Sequence, residues 1–588
     1  MKHWLALSLI MATALAIALR WPDLDRRPMH HDESVNARIF QGLWEQGVYR
    51  YNPDEYHGPT LHYATLPMAW LSGAKDFDQL SERTLRAVAV IAGVAMVLLV
   101  LLLRDGLGPT ATGASALLLA LSPAMVFYSR YFIHEMLLAA GTLLFLGGAW
   151  RYGRTQRAGW AIVAGAALGW MHATKETFVI NLAGMGVAVV LILARQRWLD
   201  RRPITWREHF RPGHLLLAAG TAALVSLALF TSFGTHWRGP WDSVTTYLPW
   251  LRRAGGESPH LHPWYFYFQR LFWYHAAKGP HWTEAIIGLL ALSGGVAALN
   301  RSGRWAAPRA SSALVQFLLF YTFAVAAAYS VIAYKTPWCL LNFLLPMILL
   351  AGCGADALLH WAGLGRPPES FPRAPHGDAA PGDTFPPPRG ENMSAKNSAV
   401  AGYGSPPPRP RTLPQPAVPS RLRLAATGAL LFIGIIHLAW QSWQASHGLT
   451  NDRGNPYIYA QTLPNTLELV KRVQDIAGVS PLGRDTRVHV IAPNSEYWPL
   501  PWYLRQLRNV WWMDALPEDP YAPIIIVAAK LKAGLDDRSQ RRYLSVGYYE
   551  LRPREFLELY VEFELWKRYV ATLPRPSDDD AEDSPLSP

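Results

Sequence analysis

The sequence is poor in cysteine, with Cys339 and Cys353 as its two thiols in 588 residues. Both fall on one predicted helix, about 21 Å apart at 1.5 Å per residue, so they cannot pair within it and the fold does not rest on disulfides. The sequence also lacks a Walker A loop, a dinucleotide fingerprint and a nucleophile elbow. It therefore offers none of the motifs that commonly identify nucleotide-binding enzymes or serine hydrolases.

Long stretches also lack charged residues, and apolar residues gather there into runs of about 16 to 21, which are typical of transmembrane helices. The first run is followed by Trp21-Pro22-Asp23 and not by a small-x-small cleavage site, which favours a retained anchor. We predict a mainly α-helical, polytopic bundle within residues 1–360 and a last span at 421–441. About eleven spans are expected, at roughly 4–21, 86–103, 111–128, 136–150, 158–173, 177–194, 214–233, 284–299, 313–333, 338–358 and 422–440.

The net charge of +12 would suggest nucleic acid as a partner in a soluble protein. Here the arginines cluster in short loops between spans. This pattern follows the positive-inside rule, so the positive charge indicates the orientation of the spans in the membrane and not a nucleic-acid partner. With a cytoplasmic N-terminus, the cytoplasmic loops hold Arg151, Arg154, Arg157, Arg195, Arg197, Arg201, Arg202, Arg207, Arg211, Arg301, Arg304 and Arg309. We therefore expect a multi-pass protein of the cytoplasmic (inner) membrane, with outer loops 22–85 and 234–283 and no nucleic-acid partner.

The chain changes character beyond residue 360. Residues 361–420 are rich in Pro, Gly, Ser and Arg, which predicts a disordered cytoplasmic linker. Within residues 442–575 a helix is predicted at 464–477 and buried strands at 487–492 and 523–529, which indicates a small extracytoplasmic α/β domain. Residues 576–588 form an acidic tail.

Acids and bases stand beside the spans in four predicted outer turns. Ionisable groups this close to the hydrocarbon are costly and commonly functional. If the fold brings the turns together, a carboxylate could take a proton from an acceptor hydroxyl or hold a divalent metal, and cations could stabilise a departing phosphate. The residues concerned are Asp32, Glu33, Arg130, Glu135, Lys175, Glu176 and Lys335.

Purely structural roles are also possible for the same residues. Asp32 could cap an interfacial helix that follows it, and Glu135 could form a simple ion pair with Arg130. The two lysines could merely snorkel at span ends. The aromatic run 264–268 is typical of an interface belt as well as of a sugar platform. Four histidines could suggest a zinc site, but their spacing matches no closed motif: His30, His31, His57 and His62.

Several short motifs follow one another in a recognisable order: His-x-Asp-Glu at 30–33, His57-Gly58-Pro59, Arg130-Tyr131 before Glu135, Lys175-Glu176, Lys335-Thr336-Pro337-Trp338, Asn455-Pro456-Tyr457 and Trp498-Pro499-Leu500-Pro501-Trp502-Tyr503. This order resembles the dolichyl-phosphate-mannose–protein mannosyltransferase family of GT-C membrane glycosyltransferases. Within it, the chain is similar to a prokaryotic branch described as flippase-activity-associated membrane proteins. One departure is His57-Gly58-Pro59, which stands where relatives often have a basic residue followed by prolines.

The resemblance implies inverting transfer of a sugar from a polyprenyl-phosphate carrier to a protein, lipid or glycan acceptor at the outer face. It implies that Asp32 is the general base, that Glu33 supports it, and that Glu135 is the second acid. A divalent cation (Mg or Mn) would then sit on Asp32 and Glu135. The implied contacts to the donor phosphate are Lys335, Lys175 and Arg130, and further substrate contacts are His31, His57, Tyr131 and Trp338.

Two other functions stay open at this point. The name of the branch suggests a non-catalytic factor that assists translocation or assembly of lipid-linked glycans. A secondary transporter would favour charges at mid-membrane and inverted repeats. The charges here lie at the predicted outer rim, and the sequence shows no clear repeat.

Overall fold

The structure, a computed structural model, describes residues 2–199, 211–255, 260–276, 279–300, 310–364 and 420–574. The predicted linker 361–420 lies outside these residues except at its two ends, and the predicted tail 576–588 lies outside entirely. The same holds for several arginines of the predicted cytoplasmic loops: Arg201, Arg202, Arg207, Arg301, Arg304 and Arg309.

A helical bundle forms the larger part of the molecule. Its helices are α1 Lys2–Arg20, α2 His31–Gln46, α3 Thr60–Leu71, α4 Glu82–Leu99, α5 Arg104–Leu107, α6 Pro109–Leu121, α7 Pro123–Tyr128, α8 Glu135–Thr155, α9 Ala158–His172, α10 Phe178–Trp198, α11 Pro212–Phe230, α12 Gly239–Thr245, α13 Tyr247–Ala254, α14 Phe266–Phe272, α15 Ala285–Leu299, α16 Ser312–Val331, α17 Leu341–Ala362 and α18 Ser420–Trp443. In the described part of the chain, seven helical stretches are long and apolar enough to cross a membrane. The mainly α-helical, multi-span fold class is confirmed.

The predicted apolar runs coincide with helices, with one difference at 111–128. The chain there forms α6 and α7 as separate helices, because Pro123 has no amide hydrogen with which to continue α6. The Ser122 hydroxyl accepts the Met125 amide at 3.4 Å and caps α7. At the far end of α7, the Tyr128 hydroxyl donates to the Tyr457 carbonyl at 2.9 Å. Through this hydrogen bond, α7 connects the bundle to the segment after α18.

Helix α2 begins at His31, one residue before the acidic pair. Its N-cap is His30, whose Nδ1 accepts the Asp32 amide at 3.1 Å, while Glu33 Oε2 accepts the His30 amide at 2.8 Å. This reciprocal pair is a capping box. The cap is thus His30 and not Asp32, so the Asp32 side chain is not used to begin the helix. The helix ends at Gly47, whose φ of +70° suits glycine.

The C-terminal domain is built on one mixed sheet. Its elements are α19 Asn465–Val479, β1 Val488–Ile491, α20 Leu500–Tyr503, β2 Val510–Met513, β3 Ile524–Ala528, α21 Leu535–Arg538, β4 Tyr543–Arg552, β5 Glu555–Glu562 and α22 Phe563–Val570. The strand order is β2-β1-β3-β5-β4, with β1 parallel to β2 and β3, and β5 antiparallel to β3 and β4. Strands β1 and β3 are buried along their whole length, β3 as an unbroken apolar run and β1 with His489 among its apolar residues.

The C-terminal domain packs against the bundle beside α2. The Trp502 ring packs edge-on against Phe77 at 5.5 Å, and its Nε1 donates to Glu82 Oε1 at 2.9 Å. The Tyr503 hydroxyl accepts the Met29 amide at 2.8 Å. These contacts place the loop after β1 above the start of α2.

Candidate active site

A cavity of about 770 Å³ lies where the bundle meets the C-terminal domain. Its lining comes from the start of α2, the turns before α8 and α10, helix α13, the segment before α17 and the loop after β1. The residues predicted from the sequence that line it are His31, Asp32, His57, Glu135, Lys175, Glu176 and Trp338. The other four predicted residues lie outside the lining: Glu33, Arg130, Tyr131 and Lys335. The fold thus brings most of the predicted turns to one place.

Asp32 presents an uncommitted carboxylate to this cavity. Its side chain is 43% exposed, and the nearest charged partner, His30, has its Nδ1 3.9 Å from Oδ1. Among the described residues, none donates a hydrogen bond to the carboxylate. Burial around the site raises the pKa of Asp32, but His30 and His31 more than offset this, so the pKa lies below its ordinary value. Asp32 is therefore an ionised and accessible carboxylate at neutral pH.

Glu33 points into the protein and away from the cavity. Its buried carboxylate accepts hydrogen bonds from Arg86 Nε at 2.7 Å, Arg27 Nη2 at 3.1 Å and the Phe132 amide at 2.9 Å. Burial raises the pKa of Glu33, but Arg27 and Arg86 more than offset that effect and hold the pKa at about 2. Glu33 thus ties α2 to α4 and to the turn before α8, and it contacts no part of the cavity.

Glu135 forms a buried ion pair with Lys175, the two side chains being 3% and 7% exposed. Burial lowers the pKa of Lys175, but the Glu135 carboxylate outweighs burial and raises the pKa overall. Glu135 therefore pairs with Lys175 and not with Arg130, the partner suggested by the sequence. Since both residues line the cavity, the pair offers a fixed acceptor and a fixed donor side by side.

His57 and Glu176 form a second pair at the cavity wall. The His57 Nδ1 lies 2.9 Å from Glu176 Oε1, and the imidazole stacks on Trp250 at 5.0 Å. Burial raises the pKa of Glu176, but His57 more than offsets it, so that carboxyl has a lowered pKa. The pair fixes the orientation of the His57 ring.

Arg130 and Tyr131 hold the first predicted outer loop in place. The Arg130 guanidinium donates to the carbonyls of Arg20 at 2.8 Å, Pro22 at 2.6 Å and Asp23 at 3.1 Å. The Arg27 guanidinium lies over the Tyr131 ring, 3.4 Å from the ring centroid. The Tyr131 hydroxyl donates to Gln461 Oε1 at 2.9 Å. Both side chains are committed to the protein itself.

His31 and Trp338 both belong to the cavity wall. The His31 ring lies 5.9 Å from the Trp498 ring of the C-terminal domain, and burial lowers the pKa of His31 to about 4. The Trp338 ring packs edge-on against His30 at 5.6 Å. The neutral imidazole of His31 and the indoles of Trp338 and Trp498 therefore line the same cavity as Asp32.

Lys335 and Arg270 are two cations that both lie beside His262, and they are here called the cationic cluster. Lys335 Nζ donates to the main-chain carbonyls of His262, at 3.2 Å, and Ile332. The Arg270 guanidinium lies 3.6 Å from the centroid of the Phe266 ring, and its buried Nε has no hydrogen-bond partner among the described residues.

The charge of this cluster is not compensated by acids. Neither Lys335 nor Arg270 forms a salt bridge with a carboxylate in the part of the chain that the structure describes. Burial lowers the pKa of His262, and the neighbouring Arg270, His260 and Lys335 lower it further. Cations held together without an acid are suited to binding an anion. Arg270 was missed by the sequence analysis, although a lone arginine within the aromatic stretch 264–274 was a usable signal.

The two predicted metal ligands differ in what they can offer. The described residues contain no group of three or more His, Cys, Asp and Glu side chains arranged to hold a metal ion. Glu135 is committed to Lys175, whereas Asp32 is free. Of the two predicted ligands, Asp32 is thus the one whose carboxylate is free to bind a divalent cation.

Comparison with known proteins agrees with the geometry. Residues 70–209 match the family model of the dolichyl-phosphate-mannose-protein mannosyltransferases. No curated protein sequence matches the chain. Among solved structures, ArnT from Cupriavidus metallidurans bound to undecaprenyl phosphate is similar, with a TM-score of 0.56, 15% identity and coverage of 98% of this chain and 100% of that one. The archaeal oligosaccharyltransferase AglB from Archaeoglobus fulgidus, in complex with an inhibitory peptide and a dolichol-phosphate, gives a TM-score of 0.50, 14% identity and coverage of 96% and 77%.

These similarities show the fold of the chain. It has the fold of the GT-C membrane glycosyltransferases, and its segment 70–209 matches the mannosyltransferase family model. The resemblance to the mannosyltransferase family inferred from the order of the motifs is thereby confirmed, whereas the assignment to the flippase-activity-associated branch stays a prediction. The matched segment contains Glu135 and Lys175, whereas Asp32 lies before it.

Proposed function

We propose that this protein is a membrane glycosyltransferase that moves a sugar from a polyprenyl-phosphate-linked donor to an acceptor hydroxyl. One observation carries the proposal: the free carboxylate of Asp32 and the Glu135–Lys175 pair share a single cavity at one end of a bundle of apolar helices. A cavity of about 770 Å³ is large enough for two sugar rings and a phosphate. The fold similarity to ArnT bound to undecaprenyl phosphate supports the donor class.

In the proposed reaction, Asp32 takes the proton of the acceptor hydroxyl as general base. The acceptor oxygen forms a bond to the anomeric carbon while the bond from that carbon to the phosphate oxygen breaks. Attack from the face opposite the phosphate inverts the anomeric configuration. Glu135, held by Lys175, accepts a hydrogen bond from a sugar hydroxyl and so orients the reacting ring.

The departing polyprenyl phosphate gains negative charge as the bond breaks. We assign its stabilisation to Lys335 and Arg270, because no described carboxylate neutralises them and Lys335 stands between the lining residues Tyr334 and Thr336. Lys175 lines the cavity itself, with its charge paired to Glu135. Arg130 is better explained as a structural residue, since it donates to main-chain carbonyls.

The orientation in the membrane follows from charge. Helix α8 begins at the cavity with Glu135 and ends with Arg151 and Arg154 at the opposite end of the bundle. Because arginines favour the cytoplasmic side, the cavity and the C-terminal domain are proposed to face outward from the cytoplasmic membrane. The donor would then enter from the outer leaflet.

The test is turnover by the purified full chain in lipid vesicles. A radiolabelled polyprenyl-phosphate sugar is incubated with it and a solubilised membrane fraction that supplies acceptors. We expect label to leave the lipid extract and free polyprenyl phosphate to appear in equal amount. Donor that binds but stays intact with every acceptor fraction would refute the enzyme and favour a non-catalytic factor for lipid-linked glycans. Repeating the assay after treatment with EDTA tests the proposed Mg or Mn requirement.

A further inference from the structure

One wall of the cavity belongs to the C-terminal domain. The loop that follows β1, here called the 493–498 loop, contributes Asn494, Ser495, Tyr497 and Trp498 to the lining. None of these residues was assigned a role from the sequence or from the family match, which ends at residue 209. The C-terminal domain therefore contributes residues to the same cavity as Asp32.

The 493–498 loop is held firmly in its position. Arg552 donates one hydrogen bond to the Trp498 carbonyl at 2.9 Å and another to the Glu496 carbonyl at 3.1 Å. The Ser495 amide donates to Asp514 Oδ1 at 3.2 Å. Asn494 and Ser495 both have a φ of +55°, a left-handed conformation that costs free energy in residues other than glycine. Such strain persists where the surroundings fix it, and it is common at binding sites.

The side chains of the loop are open to a ligand. Within the described residues the Asn494 amide, which is exposed, has no hydrogen-bond partner. The Trp498 ring is half-buried and lies 5.9 Å from His31, the residue next to Asp32. The loop therefore presents an amide with free donors and acceptors and an indole face beside the proposed general base.

This combination matches the chemistry of a carbohydrate. A pyranose ring has an apolar face of C–H groups that packs on an aromatic ring, and hydroxyls that pair with an amide. A peptide acceptor would instead need main-chain partners along an extended groove or sheet edge. Among the described residues, no strand residue borders the cavity, so no sheet edge is available there to an extended peptide.

We propose that the 493–498 loop is the acceptor subsite, that Trp498 and Asn494 determine acceptor specificity, and that the acceptor is a sugar hydroxyl of a glycan. The assignment of this glycan as the acceptor rests on the proposed function. The binding of a glycan at this loop can be measured without turnover. The donor phosphate is proposed to lie toward Lys335, which follows the lining residue Tyr334, and not at the 493–498 loop.

The test is saturation-transfer difference NMR on the detergent-solubilised full chain. The probes are the trisaccharides of mannose, glucose and galactose, and a Ser/Thr-containing peptide of similar mass. We expect at least one trisaccharide to receive saturation, and Asn494→Ala to weaken its binding about tenfold, the effect of one neutral hydrogen bond. Trp498→Ala is expected to remove the signal, whereas Asp32→Asn is expected to retain it.

Matched controls come from the same domain. Gln506→Ala removes an exposed amide and Trp511→Ala a 54% exposed indole, both outside the cavity lining, and both should leave binding unchanged. No saturation of any trisaccharide, or equal binding by Asn494→Ala and wild type, would overturn the inference. Loss of peptide binding in Asn494→Ala would overturn the glycan class. If glycan binding depends on Asn494 but the protein shows no turnover, the proposed enzymatic function is refuted and the glycan subsite is retained.

Discussion

Asp32 and Glu33 are neighbours in the chain with opposite environments. Consecutive residues on a helix point about 100° apart, so one side chain faces the cavity and the other faces Arg27 and Arg86. The sequence identified the acidic pair but not which member is free. That difference depends on Arg86, which lies 53 residues further along the chain, and on a His30 cap that no general preference for N-cap residues favours.

Glu33→Gln is expected to destabilise the fold strongly. It leaves the buried Arg27 and Arg86 guanidinium groups without their counter-charge, which costs about 3–5 kcal/mol. Thermal unfolding in detergent measures the loss, with the partly exposed carboxylate of Glu496 as a control in Glu496→Gln. A melting temperature equal to that of wild type would show that the buried pair contributes nothing.

The same residue predicts a pH dependence. The pKa of Glu33 is about 2 in the folded protein and near 4.5 when unfolded. Between these values the unfolded chain binds the extra proton, so this stabilisation is complete above about pH 4.5 and is lost as the pH falls toward 2. Melting temperatures of wild type and Glu33→Gln should therefore converge as the pH is lowered. Parallel curves through this range would contradict the lowered pKa.

At the scale of elements, the sequence was most reliable for helices that bury or expose one long apolar surface. It located the helix at 464–477 and the buried strands of the C-terminal domain closely. It could not show that Lys335, before α17, and Arg270 of α14 both lie beside His262, because that arrangement depends on tertiary packing over 65 residues of chain. Nor could apolar periodicity alone place the break between α6 and α7.

Arg270→Ala tests whether α14 carries a donor-phosphate contact. Charge-assisted hydrogen bonds contribute about 1.5–3 kcal/mol, so we expect the KM for the polyprenyl-phosphate donor to rise by about 10-fold to 100-fold. The value of kcat should change less than the KM. The melting temperature should stay near that of wild type, because Arg270 forms no ion pair with a described carboxylate that the substitution would break. Lys471→Ala, an exposed cation on α19, is the control and should leave the KM unchanged. An unaltered donor KM in Arg270→Ala would contradict the assignment of Arg270 to the donor-phosphate site.

At the scale of the molecule, the site exists because a soluble domain is fixed onto a helical bundle. Trp502, 2% exposed, is the largest side chain in that contact and donates to Glu82. Trp502→Ala should cost about 3–5 kcal/mol and loosen the contact. Limited proteolysis between α18 and α19 should then be faster than in wild type, while the exposed Trp511→Ala should match wild type. Equal cleavage in both variants would mean that this contact does not hold the domain.

The central claim is that Asp32 acts as the base of a sugar transfer, and one comparison tests it most directly. Transfer from the labelled polyprenyl-phosphate donor is measured for wild type and Asp32→Asn, with donor binding and melting temperature determined on the same preparations. We expect transfer to fall by about 10²-fold to 10⁴-fold, the usual contribution of a general base, while binding and melting change little because the carboxylate accepts no described hydrogen bond. Undiminished transfer by a folded Asp32→Asn protein would contradict the account.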